Sequence, residues 1–144
     1  MRKKVLIADP DPRTLDFLRE KLDASNLKAE IALGGKLGLA AVQSGKYDLI
    51  VSALEMPRPH GMDLIVDLMN RASKTPVIFI TRLLDENPET RERIESLGPY
   101  EVLDKPLFIN LLYKRIESCL EMKIHWKERR REERIPIALE VLFT

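Results

Sequence analysis

The chain has 144 residues, 44% of them hydrophobic, which suits one domain with a packed core and excludes an intrinsically disordered chain. Its 24 Lys and Arg residues nearly balance 23 Asp and Glu residues, for a formal net charge of +1, so no overall charge draws it to nucleic acid or to a membrane. The one cysteine, Cys119, has no partner for an internal disulfide, which is compatible with a reducing compartment. No apolar run approaches the roughly 18 residues of a membrane span, and we expect a cytoplasmic protein.

Short apolar runs alternate with helical patterns over residues 1–120. The apolar runs predict strands at 5–8, 28–33, 49–52, 76–81 and 100–103. Apolar residues at helical spacing predict helices at 12–24, 37–43, 62–72 and 89–97, with a last helix from about Leu107. Strands that alternate with helices predict a parallel sheet with helices on both faces. Five such units indicate an α/β, doubly wound, flavodoxin-like domain with a five-stranded sheet.

The last predicted helix has no internal stop signal. Neither glycine nor proline occurs between Pro106 and Pro136, and a heptad-like spacing is kept by Ile109, Leu112, Ile116, Cys119 and Trp126. This pattern predicts an extended C-terminal helix that continues over residues 121–134. Such an extension is either a surface helix with a polar end or a signalling helix that pairs with a second chain, which would give a homodimer.

The last ten residues change character again. Apolar residues alternate with other residues from Ile135 to Phe143, which is a strand pattern. A single strand at a chain end has no partner strand, so we interpret it as the start of a truncated second domain. The predicted organisation is a domain at 1–120, a helical linker at 121–134 and this first strand at 135–144.

Side chains suited to a metal ion and a phosphoryl group follow the predicted strands. In chain order they are Asp9, Asp11, Glu55, Thr81 and Lys105. The carboxyl ends of parallel strands meet at one edge of the sheet, where α/β proteins bind ligands. Clustered carboxylates suit Mg²⁺, and a lysine beside a hydroxyl suits a phosphoryl group. Taken singly, each residue is explained as a helix cap or a loop charge; taken together, they predict a site.

Residues 1–120 resemble the receiver domain of bacterial two-component response regulators. The matching segments are VLIADPDP at the first strand, YDLIVSALEMP at the third, PVIFIT at the fourth and LDKP at the fifth. The resemblance implies that an acidic pair holds Mg²⁺ and that an aspartate at the end of the third strand accepts a phosphoryl group. It also implies that Thr81 and Lys105 contact that group. The domain would be a signalling module rather than an enzyme, with itself, a histidine kinase or an output domain as partner.

The position that this resemblance assigns to the phosphoacceptor holds Ala53. A phosphoaspartate needs a carboxylate nucleophile, and a methyl group cannot act as one. Ser52 is expected to point to the opposite face of its strand. Glu55 resembles the loop position that lends a backbone carbonyl to the metal. We therefore expect no phosphoryl transfer to this position and no catalytic residue in the chain.

The acidic pair is also altered. Asp9 matches its first member, but Pro10 stands where the second is usual, and Asp11 lies one place later. With fewer carboxylate ligands, Mg²⁺ held by Asp9, Asp11 and Glu55 is expected to bind weakly or not at all.

Two origins of Ala53 remain open. Pro10, Arg82 and Val102, which also depart from the family pattern, favour a naturally degenerate receiver, or pseudo-receiver. The retained Asp9, Thr81 and Lys105 leave open a phosphorylatable receiver whose aspartate has been replaced. The first origin predicts signal transduction through protein–protein contacts, and the second predicts a phosphoryl-accepting receiver in an inactivated form.

A second resemblance lies in the Arg-rich segment. The sequence ERRREERIPI at 128–137 resembles the opening of a PilZ domain, the cyclic di-GMP-binding module, and Arg130 and Arg134 match its RxxxR element. The resemblance implies that these guanidinium groups clamp guanine and phosphate, which suits the planar fork of arginine. The second motif of that family is absent, so cyclic di-GMP binding and a cyclic di-GMP-responsive output are expected only in a longer chain. The alternative is a solvated, charged helix end; three glutamates dilute the positive charge and argue against nucleic acid.

Overall fold

The structure is a computed structural model of the chain, and it describes residues 2–57, 59–81, 88–104, 107–127 and 133–136. Within these ranges, five strands alternate with five helices: β1 (Lys4–Asp9), α1 (Pro12–Ala24), β2 (Lys28–Leu33), α2 (Gly34–Ser44), β3 (Leu49–Ala53), α3 (Gly61–Asn70), β4 (Val77–Thr81), α4 (Pro88–Ser96), β5 (Tyr100–Asp104) and α5 (Ile109–Leu120). The strands form one parallel sheet in the order β2-β1-β3-β4-β5. The predicted α/β architecture is confirmed.

The sheet separates two hydrophobic layers. One layer includes buried residues of α1 and α5, and the other includes buried residues of α2, α3 and α4. Every residue of β3 and β4 is buried, as expected for central strands covered on both faces. Among the described residues, none of the helices combines the length and hydropathy that crossing a bilayer demands.

Two helices begin two or more residues away from their predicted starts. The start of α2 is Gly34, three residues before the predicted start, and Gly34 has a left-handed φ of 86° that glycine adopts without strain. The start of α5 is Ile109 rather than Leu107. Leu107 and Ile109 instead form backbone hydrogen bonds with Ile135 and Glu133, which holds the chain extended before the helix begins.

The prediction that the last helix continues beyond residue 120 is wrong. α5 ends at Leu120, and Glu121 adopts a left-handed conformation with φ of 54°. The following residues, up to 127, are not helical. The apolar face of α5 is buried in the core of its own domain, and Trp126 stacks on Tyr113 with ring centroids 5.2 Å apart.

The segment after α5 folds back onto the domain. Ile124 N–H donates to Glu117 Oε2 at 3.0 Å, and His125 N–H donates to the carbonyl oxygen of Ser25 at 3.2 Å. Ile124 is only 7% exposed and belongs to the core layer of α1 and α5. Burial of apolar surface therefore favours this return over a longer, solvated helix.

Acidification is expected to weaken the packing of the segment after α5 against the domain. The hydrogen bond from Ile124 N–H, followed by the indole of Trp126 and the charge of Lys123, lowers the pKa of Glu117 despite the opposing effect of burial. A carboxyl group with a depressed pKa stabilises the fold above its unfolded pKa of about 4.3, and that contribution is lost as the pH falls through the folded value. Trp126, the only tryptophan in the chain, should report the loss as a fluorescence change below about pH 4.3. Glu117→Gln is the control and should lack this transition. If the fluorescence titration of Glu117→Gln were the same as that of the unmodified chain, Glu117 would not be the group responsible.

Candidate functional site

Three neighbouring strands end at one edge of the sheet. Asp9 ends β1, Ala53 ends β3 and Thr81 ends β4, and β3 lies between the other two strands. The three residues are 5%, 4% and 1% exposed, respectively. The topology therefore brings a carboxylate, a methyl group and a hydroxyl to the same buried edge.

The carboxylates of Asp9 and Asp11 both accept hydrogen bonds from residues close to them in the sequence. Asp9 Oδ1 accepts a hydrogen bond from Asp11 N–H at 2.8 Å. Asp11 caps α1, since its Oδ1 accepts from Arg13 N–H at 3.0 Å, and the Arg13 guanidinium donates to both Asp11 oxygens at 3.3 Å. Pro12 occupies the first helical position. An aspartate cap followed by proline is a favourable helix start.

The loop after β3 is held by backbone hydrogen bonds and by the close approach of Gly61 to the end of β3. Leu54 N–H donates to the carbonyl oxygen of Ile80, and Gly61 N–H donates to the carbonyl oxygen of Leu54, both at 3.1 Å. A Cβ on Gly61 would lie 2.9 Å from that Leu54 oxygen and 3.0 Å from the carbonyl oxygen of Ala53. Glycine is therefore required where α3 begins against the end of β3.

The polar neighbours of Ala53 are held by other interactions. Ser52 is 1% exposed, and its hydroxyl donates to the carbonyl oxygen of Ala53 at 2.9 Å. Glu55 lies in the following loop with a buried Oε2 atom. Thr81 pairs in register with Asp104 of β5. The third strand therefore presents a methyl group, and not a nucleophile, at its carboxyl end.

The described residues do not fit Mg²⁺ as a resident ion. Among them, no group of three or more His, Cys, Asp or Glu side chains is placed to hold a metal. Asp11 is engaged by Arg13 and the start of α1, and Pro10 and Ala53 carry no side-chain oxygen. A hard cation that prefers several oxygen ligands lacks a sufficient set here.

The remaining predicted site residues fall into two groups. Lys105 and Arg130 lie outside the described residues. Arg134 is described, and its guanidinium carbon lies 4.9 Å from the centroid of the Phe108 ring. Arg134 and Phe108 also form an antiparallel bridge. The interpretation of the Arg-rich segment as a helix end is therefore wrong for Arg134, which is extended and lies against the β5–α5 junction.

Sequence reasoning missed the residues that hold this segment in place. Thr14 Oγ1 donates to the carbonyl oxygen of Pro136 at 2.9 Å. Lys21 forms an ion pair with Glu133 at 2.5 Å. The one local signal was the return of apolar residues at Ile135 after a charged run, because an apolar residue that follows such a run suggests a contact with the core.

A family model matches most of the chain. The model of the response regulator receiver domain aligns with residues 5–117, a range that spans the five strands and most of α5. The chain belongs to this family. It is a receiver domain of two-component signalling.

Known relatives agree with this assignment. The transcriptional regulatory protein PcoR of Escherichia coli is 27% identical over 118 residues, which cover 82% of this receiver domain chain and 51% of PcoR; the chain therefore spans about half of that relative. The receiver domain of the Francisella response regulator 1452 is 28% identical, with a TM-score of 0.76 over 83% of this chain and 98% of that one. Response regulator TrrA from Thermotoga maritima, solved in complex with Mg²⁺-BeF, has the same fold at 20% identity, with a TM-score of 0.70 over 82% of this chain and 99% of that one.

Proposed function

We propose that this receiver domain signals through protein–protein contacts without phosphorylation of an aspartate. The observation that carries the proposal is the buried methyl group of Ala53 between the strands that end in Asp9 and Thr81. A phosphoryl acceptor of the aspartate type requires a carboxylate at this place. The engagement of Asp11 as a helix cap and the presence of Pro10 further support weak or absent Mg²⁺ binding.

The second candidate is a phosphorylatable receiver whose acceptor aspartate has been replaced by Ala53. The close packing of Gly61 against the end of β3 favours it, because this packing keeps the loop architecture that follows an acceptor. The buried hydroxyl of Thr81 favours it for the same reason.

Restoring the carboxylate distinguishes the two candidates. Ala53→Asp is incubated with acetyl phosphate and Mg²⁺ and examined by intact-mass spectrometry, with the near-isosteric Ala53→Asn as a control that lacks the nucleophile. The degenerate receiver predicts no stable adduct on either variant. A phosphoryl adduct that maps to position 53 in Ala53→Asp and is absent from Ala53→Asn would establish the second candidate instead.

The proposed partners are proteins: a second copy of the chain, a histidine kinase or an output domain. Contacts through α4, β5 and α5 are supported by two partly exposed apolar side chains on these helices or beside them, Leu97 at 38% and Leu111 at 44% exposure. Light scattering at high protein concentration tests the homodimer. A strictly monomeric chain would contradict that part of the proposal.

We also propose that a longer chain continues into a PilZ-like domain from residues 135–144 and that Arg130 and Arg134 bind cyclic di-GMP there. Arg134 is an exposed residue, which supports this role, since the planar fork of its guanidinium matches guanine and phosphate acceptors. Calorimetric titration of the longer chain with cyclic di-GMP is the test. Binding that is lost in Arg134→Ala supports the proposal, and unchanged binding in that variant contradicts it.

A further inference from the structure

We propose that residues 133–136 form a docking strap, which fastens the C-terminal segment to α1 and to the β5–α5 loop and couples the site edge of the sheet to the chain beyond the domain. The start of α1 and the β5–α5 loop both follow strands at the edge that carries Asp9 and the Ala53 position. The strap therefore contacts the domain beside its site, although it lies more than 120 residues from Asp9 in the sequence.

Backbone hydrogen bonds make the strap part of the start of α5. Ile135 N–H donates to the carbonyl oxygen of Leu107 at 2.9 Å, and Ile109 N–H donates to the carbonyl oxygen of Glu133 at 3.1 Å. Ile109 opens α5, and the N-cap residue Phe108 supplies no side-chain cap. Because the first N–H groups of a helix need partners from outside it, the strap completes this helix terminus.

Side chains of the strap add three different contacts. Ile135 is 2% exposed and belongs to the core layer of α1 and α5. Glu133 pairs with Lys21 of α1, and both side chains are mostly buried. Arg134 lies over the ring of Phe108. An apolar anchor, an ion pair and a cation–π contact on three successive residues indicate a specific seat for the strap.

The strap reaches the site through Thr14. The Thr14 hydroxyl donates to the carbonyl oxygen of Pro136 and lies 3.5 Å from Asp11 Oδ2. Asp11 N–H in turn donates to Asp9 Oδ1. A chain of polar contacts thus leads from the strap to the carboxylate at the end of β1. On the other side, the strap pairs with Leu107, two residues after Lys105 in the sequence.

This arrangement offers a way to transmit a signal that requires no phosphoryl acceptor in the receiver domain. A partner or ligand that moves the start of α1 or the β5–α5 loop displaces a donor or acceptor of the strap, and capture of Arg134 elsewhere removes the strap from both elements. The two effects are reciprocal because they share one coupling free energy. The contacts are all within this chain and require no nucleotide, so a failure to bind cyclic di-GMP leaves the strap unaffected.

Amide hydrogen exchange measured by NMR on the full chain tests the strap. Thr14→Val keeps the side-chain volume but removes the donor to Pro136, and we expect about fivefold faster exchange at the Ile135 and Ile109 amides, the effect of one lost hydrogen bond. The Asp11 amide should also exchange faster, whereas amides of β1 and β3 should not. Thr90→Val, a matched change on α4, should alter none of these rates.

Ile135→Ala provides a second test, because it weakens the strap without touching the β1–α1 loop. We expect at least tenfold faster exchange at Ile109, accompanied by faster exchange at Asp11. If the Ile135 and Ile109 amides of the unmodified chain showed no protection from exchange, the proposed docking of the strap would be overturned. Release of the strap in Ile135→Ala with an unchanged Asp11 rate would overturn the coupling. Should Ile135→Ala unfold the domain, the volume-conserving Thr14→Val still tests docking through the exchange rates of the Ile135 and Ile109 amides.

Discussion

Replacing Ala53 with aspartate is expected to lower the free energy of unfolding by about 2–3 kcal/mol in metal-free buffer, because the change adds a carboxylate at a buried position. Ala53 is 4% exposed, and the neighbouring β1 ends in another carboxylate, Asp9. Pro10 and the capped Asp11 leave few ligands for a neutralising cation. Urea denaturation with and without MgCl₂ measures the effect, and we expect Mg²⁺ to restore less than half of the loss.

The control for this prediction is Ala53→Asn, which adds nearly the same volume without a charge. We expect it to lose about 1 kcal/mol of stability and to show no response to Mg²⁺. Full recovery of Ala53→Asp in millimolar Mg²⁺ would mean that Asp9, Asp11 and Glu55 do hold the ion. That result would contradict the degenerate metal site.

Gly35→Val is expected to cost about 3 kcal/mol of stability, because it places a branched side chain where the first turn of α2 meets the loop after β3. A Cβ on Gly35 would overlap the carbonyl group of Pro59 and approach the carbonyl oxygen of Pro57 to 3.3 Å. The loop that follows Ala53 would have to move away from α2. Urea denaturation of Gly35→Val measures this cost.

Lys36→Ala is the matched control, since Lys36 is exposed in the same helical turn and its truncation should change stability by no more than about 0.5 kcal/mol. If Gly35→Val were as stable as the unmodified chain, the loop after β3 would not be seated on α2. The description of a rigid loop around the Ala53 position would then be wrong.

The strands and most helices of this domain could be predicted because their signals are local. The apolar run at 76–81 and the cap-plus-proline start at Asp11 each encode their element within a few residues. The end of α5 could not be predicted in the same way. Glu121 adopts a left-handed conformation that glycine usually supplies, and the helix ends there as Ile124 and Trp126 are placed against the core.

The candidate site could be predicted only in part for the same physical reason. A parallel sheet brings strand ends together, so the placement of Asp9, Ala53 and Thr81 at one edge follows from the alternating pattern. The contact between Thr14 and Pro136 joins residues 122 positions apart, and neither local sequence specifies it. Whether Asp11 serves as a helix cap or as a ligand depends on its neighbours in space.

Intact-mass spectrometry of the unmodified chain after incubation with acetyl phosphate and Mg²⁺ tests the central claim most directly. The claim is that this receiver domain has kept the scaffold of a phosphoryl-accepting site but has no acceptor. We predict an unchanged mass at protein and phosphodonor concentrations that fully label a receiver domain with an acceptor aspartate, run in parallel. A stoichiometric phosphoryl adduct that maps to Glu55, or to any other residue at this edge of the sheet, would contradict the account.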